Sequence, residues 1–331
     1  MIWPEAQLAD AIERIIMAPG AIDAGVFAGG KVRLLEFRLE SESPLVGQTV
    51  AEADLPYGVV AVAMKKEETT LIPRGSTRLD TGDKVVLMGT DRAMNELRPR
   101  LSPNTAPRTS QVVTIIGGGD VGYRLAQQLD RAPHIELTVI ERDGDRGELL
   151  AASLRRSLIL RGDGTDLQLL ESEEIGRSDV MVSVIDNDER NLLSCLLGRQ
   201  LGVGQVITRV SKPSNLRLFE LVGIDVALSA RGAAVASVVH QITGGRSSLL
   251  AVLEQGQAKV IELLVPPGHP ETPLMELNTP SDSIVGVILR AEEAIVPRGT
   301  DRIRPGDRLL VCCTDAAAVS VRDTFSAVLP S

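Results

Sequence analysis

Residues 112–141 leave the chain little choice of fold. They read Val-Val-Thr-Ile-Ile, then Gly117-Gly118-Gly119-Asp120-Val121-Gly122, a helical pattern to Leu129, and Glu-Leu-Thr-Val-Ile-Glu141. The first apolar run suits a parallel strand buried on both faces. Gly117 permits a tight turn, Gly119 lets a phosphate approach the backbone, and Gly122 lets the helix pack close to the strand. The helix N-terminus offers unpaired N–H groups and a positive dipole end to a pyrophosphate. Glu141, about twenty residues on, is placed to accept bonds from an adenosine ribose. A glycine motif alone is a weak signal. Strand, turn, helix and acid in this order predict a nucleotide-binding βαβ unit.

The alternation continues to residue 243. Strands are expected near 112–116, 135–140, 158–160, 179–185, 205–210 and 225–228, with helical stretches between and a closing helix over 231–243. Such spacing means right-handed crossovers and a doubly wound parallel sheet, Rossmann-like in class. Ligands bind these sheets beyond the C-terminal strand ends, at the switch point.

On either side the chain repeats itself, at an offset of about 225 residues. Leu71-Ile72-Pro73-Arg74-Gly75-Ser76-Thr77-Arg78 resembles Ile295-Val296-Pro297-Arg298-Gly299-Thr300-Asp301-Arg302. Each is followed by a Gly-Asp turn and an apolar strand, at Gly82-Asp83 and Gly306-Asp307. In Arg304-Pro305-Gly306-Asp307 the Pro and Gly occupy the centre of a type II turn. Each copy reads as several short strands with one helix at its end, a small α+β domain. The first spans 21–103 and the second 246–331, with the parallel sheet between them at 111–245 and a Pro/polar linker at 102–110. Residues 1–20 hold a helix, Pro4 to Met17, spaced like Arg231 to Thr243. It is expected to be the closing helix of a first parallel-sheet domain whose body is missing.

Composition narrows the partners. The 331 residues carry a net charge of −9, which argues against nucleic acid or an anionic membrane surface. Hydrophobic residues make up 44% and aromatics only 2%, so the cores are aliphatic. Cys195, Cys312 and Cys313 are too few for a disulfide framework or zinc site, which suits a reducing cytoplasm, and no metal site is expected. No apolar run approaches the roughly 18 residues that span a bilayer. Any membrane role is expected to come through a partner.

Several further segments carry a family resemblance. These are Ile-Ile-Gly-Gly-Gly-Asp-Val-Gly at 115–122, Thr-Val-Ile-Glu at 138–141, Gly-Asp-Gly-Thr-Asp at 162–166, Asp-Asn-Asp-Glu-Arg-Asn at 186–191, Ile-Thr-Arg-Val at 207–210 and Leu-Phe-Glu-Leu-Val-Gly-Ile-Asp at 218–225. In this order they resemble the Trk-type potassium-uptake regulatory subunit family (TrkA), built from RCK (KTN) N- and C-domains. The resemblance covers nearly the whole chain, apart from the absent first N-domain. It implies a Rossmann-like sheet flanked by two small α+β RCK C-domains. It also implies NAD(H) as cofactor, with ATP or ADP as alternatives, and a membrane potassium transporter subunit of Trk or Ktr type as partner. A homo-oligomer at the cytoplasmic face of the cell membrane is expected.

On that footing Gly117, Gly118, Gly119, Asp120, Val121 and Gly122 hold the phosphates and Glu141 the ribose. Arg142 beside it leaves a 2′-phosphate or an adenine stack open. Asp163 and Gly164 meet the adenine side or form a solvated turn. Ile185 and Asp186 lie beside the nucleotide, while Asp188 and Asn191 are expected to cap the next helix. Arg209 reaches the phosphates or forms a surface ion pair. Asp120 is odd, since a carboxylate there competes with a pyrophosphate for the dipole; Arg124, one turn on, is placed to offset it.

No catalytic residue is expected. His134, His240 and His269 fall in a loop, on the closing helix and in a Pro/Gly loop, and Tyr123 has Gln127 where a dehydrogenase would have Lys. The Cys312-Cys313 pair reads as core, and the two Pro-Arg-Gly motifs as strand-bounding turns or a ligand site. The leading reading is a non-enzymatic regulatory subunit for potassium uptake, and the alternative is an NAD-dependent oxidoreductase.

Overall fold

The computed structural model describes residues 3–67, 69–101, 110–234, 247–253, 256–291 and 293–326. The first element is helix α1 (Pro4–Ile16), which starts on Pro4, where a missing N–H loses no helical bond. Five strands follow: β1 (Asp23–Phe27), β2 (Val32–Arg38), β3 (Val59–Lys66), β4 (Thr69–Leu71) and β5 (Lys84–Gly89). They form an antiparallel sheet in the order β1-β2-β5-β3-β4, and helix α2 (Asp91–Leu101) closes the copy.

The middle region alternates strand and helix as its hydrophobic pattern demands. The elements are β6 (Gln111–Ile116), α3 (Asp120–Leu129), β7 (Ile135–Glu141), α4 (Gly144–Ser153), β8 (Leu158–Arg161), α5 (Leu167–Ser172), β9 (Val180–Ser183), α6 (Asp188–Leu201), β10 (Gln205–Arg209), α7 (Leu216–Leu221) and β11 (Val226–Leu228). All five strand pairings are parallel, in the order β11-β10-β9-β6-β7-β8. The order reverses between β6 and β9, where the crossovers leave to opposite sides and a crevice opens at the strand ends. Val113, Ile115, Val139, Val182 and Ile207 are all fully buried, the double-sided burial expected of such strands. Residues 230–234 are helical; the remainder of the expected 231–243 helix, with His240, lies outside the described residues, as do 102–109 of the linker.

The second copy comprises β12 (Ser247–Leu253), β13 (Ala258–Leu264), β14 (Thr272–Pro273), β15 (Ser283–Arg290), β16 (Glu293–Ile295), β17 (Arg302–Ile303), β18 (Arg308–Thr314) and helix α8 (Ala318–Ser326). Its main sheet, β12-β13-β18-β15-β16, repeats the order of the first copy. The small β14–β17 pair has its counterpart in the Thr49–Arg78 bridge. The Gly-Asp turns fold alike: Gly82 and Gly306 have φ of 88° and 86°, the left-handed value a type II turn requires at its third residue.

By contacts the chain divides into two units, Met1–Pro19 with Pro107–Ser237 and Gly20–Ala106 with Val238–Ser331. In the first unit α1 packs on α3. Leu8, Ala9, Ile12, Ile15 and Ile16 are fully buried there, so the apolar stripe of α1 is covered within this chain. In the second unit the two copies share one core. Leu34, Val62, Val86 and Met88 from the first meet Val260, Val287, Leu310 and Cys312 from the second.

The Pro-Arg-Gly motifs bound strands, as one of their two readings expects, and they also join the copies. Arg74 donates to the carbonyl of Ser281, and the guanidinium carbon of Arg298 lies 5.3 Å from the centre of the Tyr57 ring. Arg74 and Arg298 occupy equivalent positions of the repeat, as do Tyr57 and Ser281, so the pairing is a pseudo-twofold exchange.

Candidate functional site

The C-terminal ends of β6 to β10 surround a cleft of about 840 Å³. Its floor is the glycine turn. Gly117 has φ of 101°, and a Cβ there would stand 3.2 Å from the Ile185 nitrogen. Gly122 is closed in the same way: a Cβ would stand 1.9 Å from the carbonyl oxygen of Gly117, so only glycine lets α3 approach β6 so closely. Gly119 differs. Its missing Cβ points into open space, the nearest atom being Nη1 of Arg146 at 3.8 Å. It is also the N-cap of α3 and contributes no side-chain cap, so the first N–H groups of the helix are left for a ligand or water.

Glu141 ends β7 and is only 8% exposed. One carboxylate oxygen accepts the Gly118 N–H at 2.5 Å and the other the Asp143 N–H at 2.8 Å. The acid therefore braces the glycine turn as well as lining the cleft. Arg209, at the end of β10, pairs with Asp186 at 3.0 Å, while its buried Nε has no hydrogen-bond partner among the described residues. A buried donor of this kind beside a cleft suits an anionic or carbonyl acceptor.

Of the residues expected to bind, Gly117, Gly119, Asp120, Val121, Glu141, Gly164, Ile185, Asp186 and Arg209 line the cleft. Gly118, Gly122 and Asp163 are not among its walls. Gly118 is turned toward Leu150 and Glu141, and Gly122 toward Gly117. Asp163 accepts from the Thr165 N–H and hydroxyl at 3.0 and 2.7 Å and from Arg190 at 2.5 Å. Burial alone would raise its carboxyl, but these donors hold it below the usual carboxylate value.

Two expectations for neighbouring residues need correction. Arg124 does not offset Asp120. It lies 3.4 Å from Asp10 of α1, whose carboxylate also accepts from Gln128 at 2.6 Å. The cap of α6 is Asn187, which alone has the extended backbone of an N-cap and accepts the Arg190 N–H at 2.8 Å. Asp188 instead accepts from Ser211, Lys212 and Asn215 beyond β10; burial raises its carboxyl, but these donors hold it low. Asn191, fully buried, accepts from Ser183 and Ile185 and donates to the Ile185 and Arg209 carbonyls, tying the ends of β9 and β10 together.

The sequence reading missed Arg146, Arg161 and Arg190, which also line the cleft. Arg161 ends β8, so the strand-end rule that selected Asp163 would have found it. Arg146 and Arg190 sit in the first turns of α4 and α6, positions that only the packed sheet brings to one crevice. Tyr123 accepts from Gln127 at 3.0 Å, and His134 is exposed. His269 is buried against the Pro270 carbonyl, in the second unit. Cys312 and Cys313 are fully buried core. Among the described residues no group of side chains could hold a metal, and no helix is long and apolar enough to cross a membrane.

Comparison with known proteins gives this arrangement a lineage. The TrkA-N domain model matches residues 113–230, and the TrkA-C domain model matches 34–102 and again 260–326. The Trk system potassium uptake protein TrkA homolog 2 of Methanosarcina mazei is 36% identical over 328 residues, covering 98% of this chain and 72% of that protein. The crystal structure of the GsuK RCK domain aligns with a TM-score of 0.54 at 20% identity, covering 98% of this chain and 70% of that one. The GsuK channel bound to NAD aligns with a TM-score of 0.54 at 18% identity, covering 98% and 58%. These two likenesses concern the fold.

Proposed function

The chain belongs to the TrkA family of Trk potassium-uptake proteins, and we propose from this premise that it is a nucleotide-binding regulatory subunit of a potassium uptake system. The observation that carries the proposal is the open face of Gly119 beneath Arg146, at the uncapped start of α3. Backbone N–H groups, a helix dipole and a guanidinium there suit a phosphate. The ligand is an adenine nucleotide, NAD(H) foremost, with ATP or ADP also admitted. The cleft crosses five strand ends from Arg161 to Arg209, long enough to seat both halves of a dinucleotide across the switch point. Glu141 would accept from the adenosine ribose with its remaining lone pairs, and Arg209 would donate its free Nε. A protein of similar fold is described as bound to NAD.

The role is binding rather than turnover. The relative it resembles is named for potassium uptake, which favours binding; among the described residues the candidate bases lining the cleft are carboxylates, with no histidine, lysine or cysteine beside them. A ligand of this sort acts by favouring one of two arrangements of the protein, and the bias passes to a potassium-conducting membrane partner of Trk or Ktr type. The protein meets the inner face of the membrane through that partner. Self-association is part of the proposal: Leu193 and Leu196 on α6 and Leu218 and Leu221 on α7 are exposed, with Leu221 at 75%.

Titration calorimetry of the full chain with NADH, ADP and ATP tests the ligand. Restoration of potassium uptake in cells lacking their own regulator tests the role. Sustained NADH oxidation with small alcohols or acids would replace this reading with an oxidoreductase.

A further inference from the structure

We propose that Glu5 and Asp120 make the cleft select by charge, so that it favours a dinucleotide over a nucleoside triphosphate. The inference rests on the reading of the cleft as a nucleotide site and concerns what that site rejects. Asp120 is the first residue of α3, exposed, and on the wall of the cleft. The cation one turn on, Arg124, is turned away to Asp10. Glu5 reaches the same cleft from α1. Asp10 of that helix is held against Gln128 and Arg124 of α3, which fixes α1 alongside and brings its first turn to the crevice.

First-turn carboxylates usually need no ligand to explain them, because they stabilise a helix dipole. Here two such acids from separate helices face one crevice. Among the described residues no hydrogen bond or ion pair engages either carboxylate, and neither helix has a side-chain cap. Arg146 lines the same cleft, its Nη1 3.8 Å from the point where a Gly119 Cβ would be. A phosphate bridge lying between the glycine turn and Arg146 meets attraction. Phosphates continuing along α3 toward Asp120 and Glu5 meet two carboxylates.

Five arginines and five carboxylates line the cleft, so its formal charge is balanced as a whole, and Asp186 is paired with Arg209 while Glu5 and Asp120 are not engaged among the described residues. A triphosphate carries about twice the negative charge of the diphosphate bridge in a dinucleotide, and carries it at the end of the molecule. A dinucleotide ends instead in a second ribose and base, whose hydroxyl donors suit carboxylate acceptors. Nothing in the sequence pattern shows that Glu5 and Asp120 face one space, because they lie more than a hundred positions apart.

The test is competition of ATP against NADH, followed by NADH fluorescence, on the full chain and on Glu5→Gln with Asp120→Asn. The parent should prefer NADH. The double variant should shift the ratio of the two affinities about tenfold toward ATP. Raising the salt on the parent alone should narrow the preference, since exposed charges are screened; this arm needs no variant to fold. A parent that binds neither nucleotide overturns the nucleotide reading and the inference with it. A parent that binds both, with a preference unmoved by salt and by the substitutions, overturns the charge selection alone.

Discussion

A carboxylate oxygen of Glu141 accepts the N–H of Gly118 at 2.5 Å, so the acid that ends the second strand of the parallel sheet braces the turn that ends the first. The other oxygen holds the Asp143 N–H, which sets the entry to α4. Replacing Glu141 by Ala should therefore act before any ligand is present. Two backbone donors in a nearly closed site lose a charged acceptor, and bonds to charged groups are worth about 1.5–3 kcal/mol. Urea unfolding should show a loss of that size. If stability is unchanged while NADH affinity falls, Glu141 serves the ligand alone.

The glycines of the turn should separate by what faces them. Gly119→Asp places a side chain in open space, so the fold should hold while its charge and bulk block the phosphate approach. Gly122→Ala drives a Cβ to 1.9 Å from the Gly117 carbonyl and should lower the melting temperature. Calorimetry with NADH on Gly119→Asp checks the first, and a thermal melt of Gly122→Ala the second. A melt of Gly119→Asp as low as that of Gly122→Ala would contradict the assignment.

The helix at the start of the chain should matter to stability. Ile12 and Ile16 are fully buried where α1 meets α3. Ile12→Ala should cost about 2–5 kcal/mol, and Ile12→Asp with Ile16→Asp should unfold the unit that holds the cleft. Circular dichroism and light scattering together decide this. A folded but dissociated protein would mean that the stripe serves an interface between chains.

The shared core of the two copies predicts a coupled pair. A Cβ on Gly286 would stand 2.7 Å from the Met88 sulfur and 3.1 Å from a Val62 methyl. Gly286→Ala should destabilise by about 1–3 kcal/mol through overpacking. Adding Val62→Ala or Met88→Ala should then cost less than it does in the parent. Additive effects in the double-mutant cycle would show that the copies do not meet there.

Alkali should weaken the fold through its thiols. Burial pushes Cys195 up to about 12 and Cys313 up to about 11, well above an ordinary thiol, and raises Cys312 further still. A raised thiol holds its proton in the folded state after the unfolded chain has lost it. The stability it contributes is complete below pH 9 and is lost as the pH climbs from 9 toward those values. The urea midpoint should fall between pH 8.5 and about 10.5 by more than in a Cys195→Ala, Cys312→Ala, Cys313→Ala variant.

Local and periodic features are decided by sequence alone, because neighbours in the chain set them. Apolar runs and amphipathic stretches predict six strands with helices between, and the parallel sheet has them with boundaries shifted by at most two residues. The glycine spacing predicts the turn, and the repeat predicts two similar sheets, down to the Gly-Asp turns with left-handed Gly82 and Gly306. What remained illegible depends on residues distant in sequence becoming neighbours in space. The apolar stripe of α1 is plain at Leu8, Ile12 and Ile16, but a stripe does not name what covers it. The sharing of one core by the two copies rests on facing sheet surfaces and on Gly286 meeting Val62 and Met88. Arg146, Arg161 and Arg190 are ordinary surface cations in the sequence and join one cleft only because β9, β6, β7 and β8 lie side by side and end at a common edge. Backbone patterns are encoded within a few residues. The charge balance of a crevice is a property of packing, and only the assembled sheet decides it.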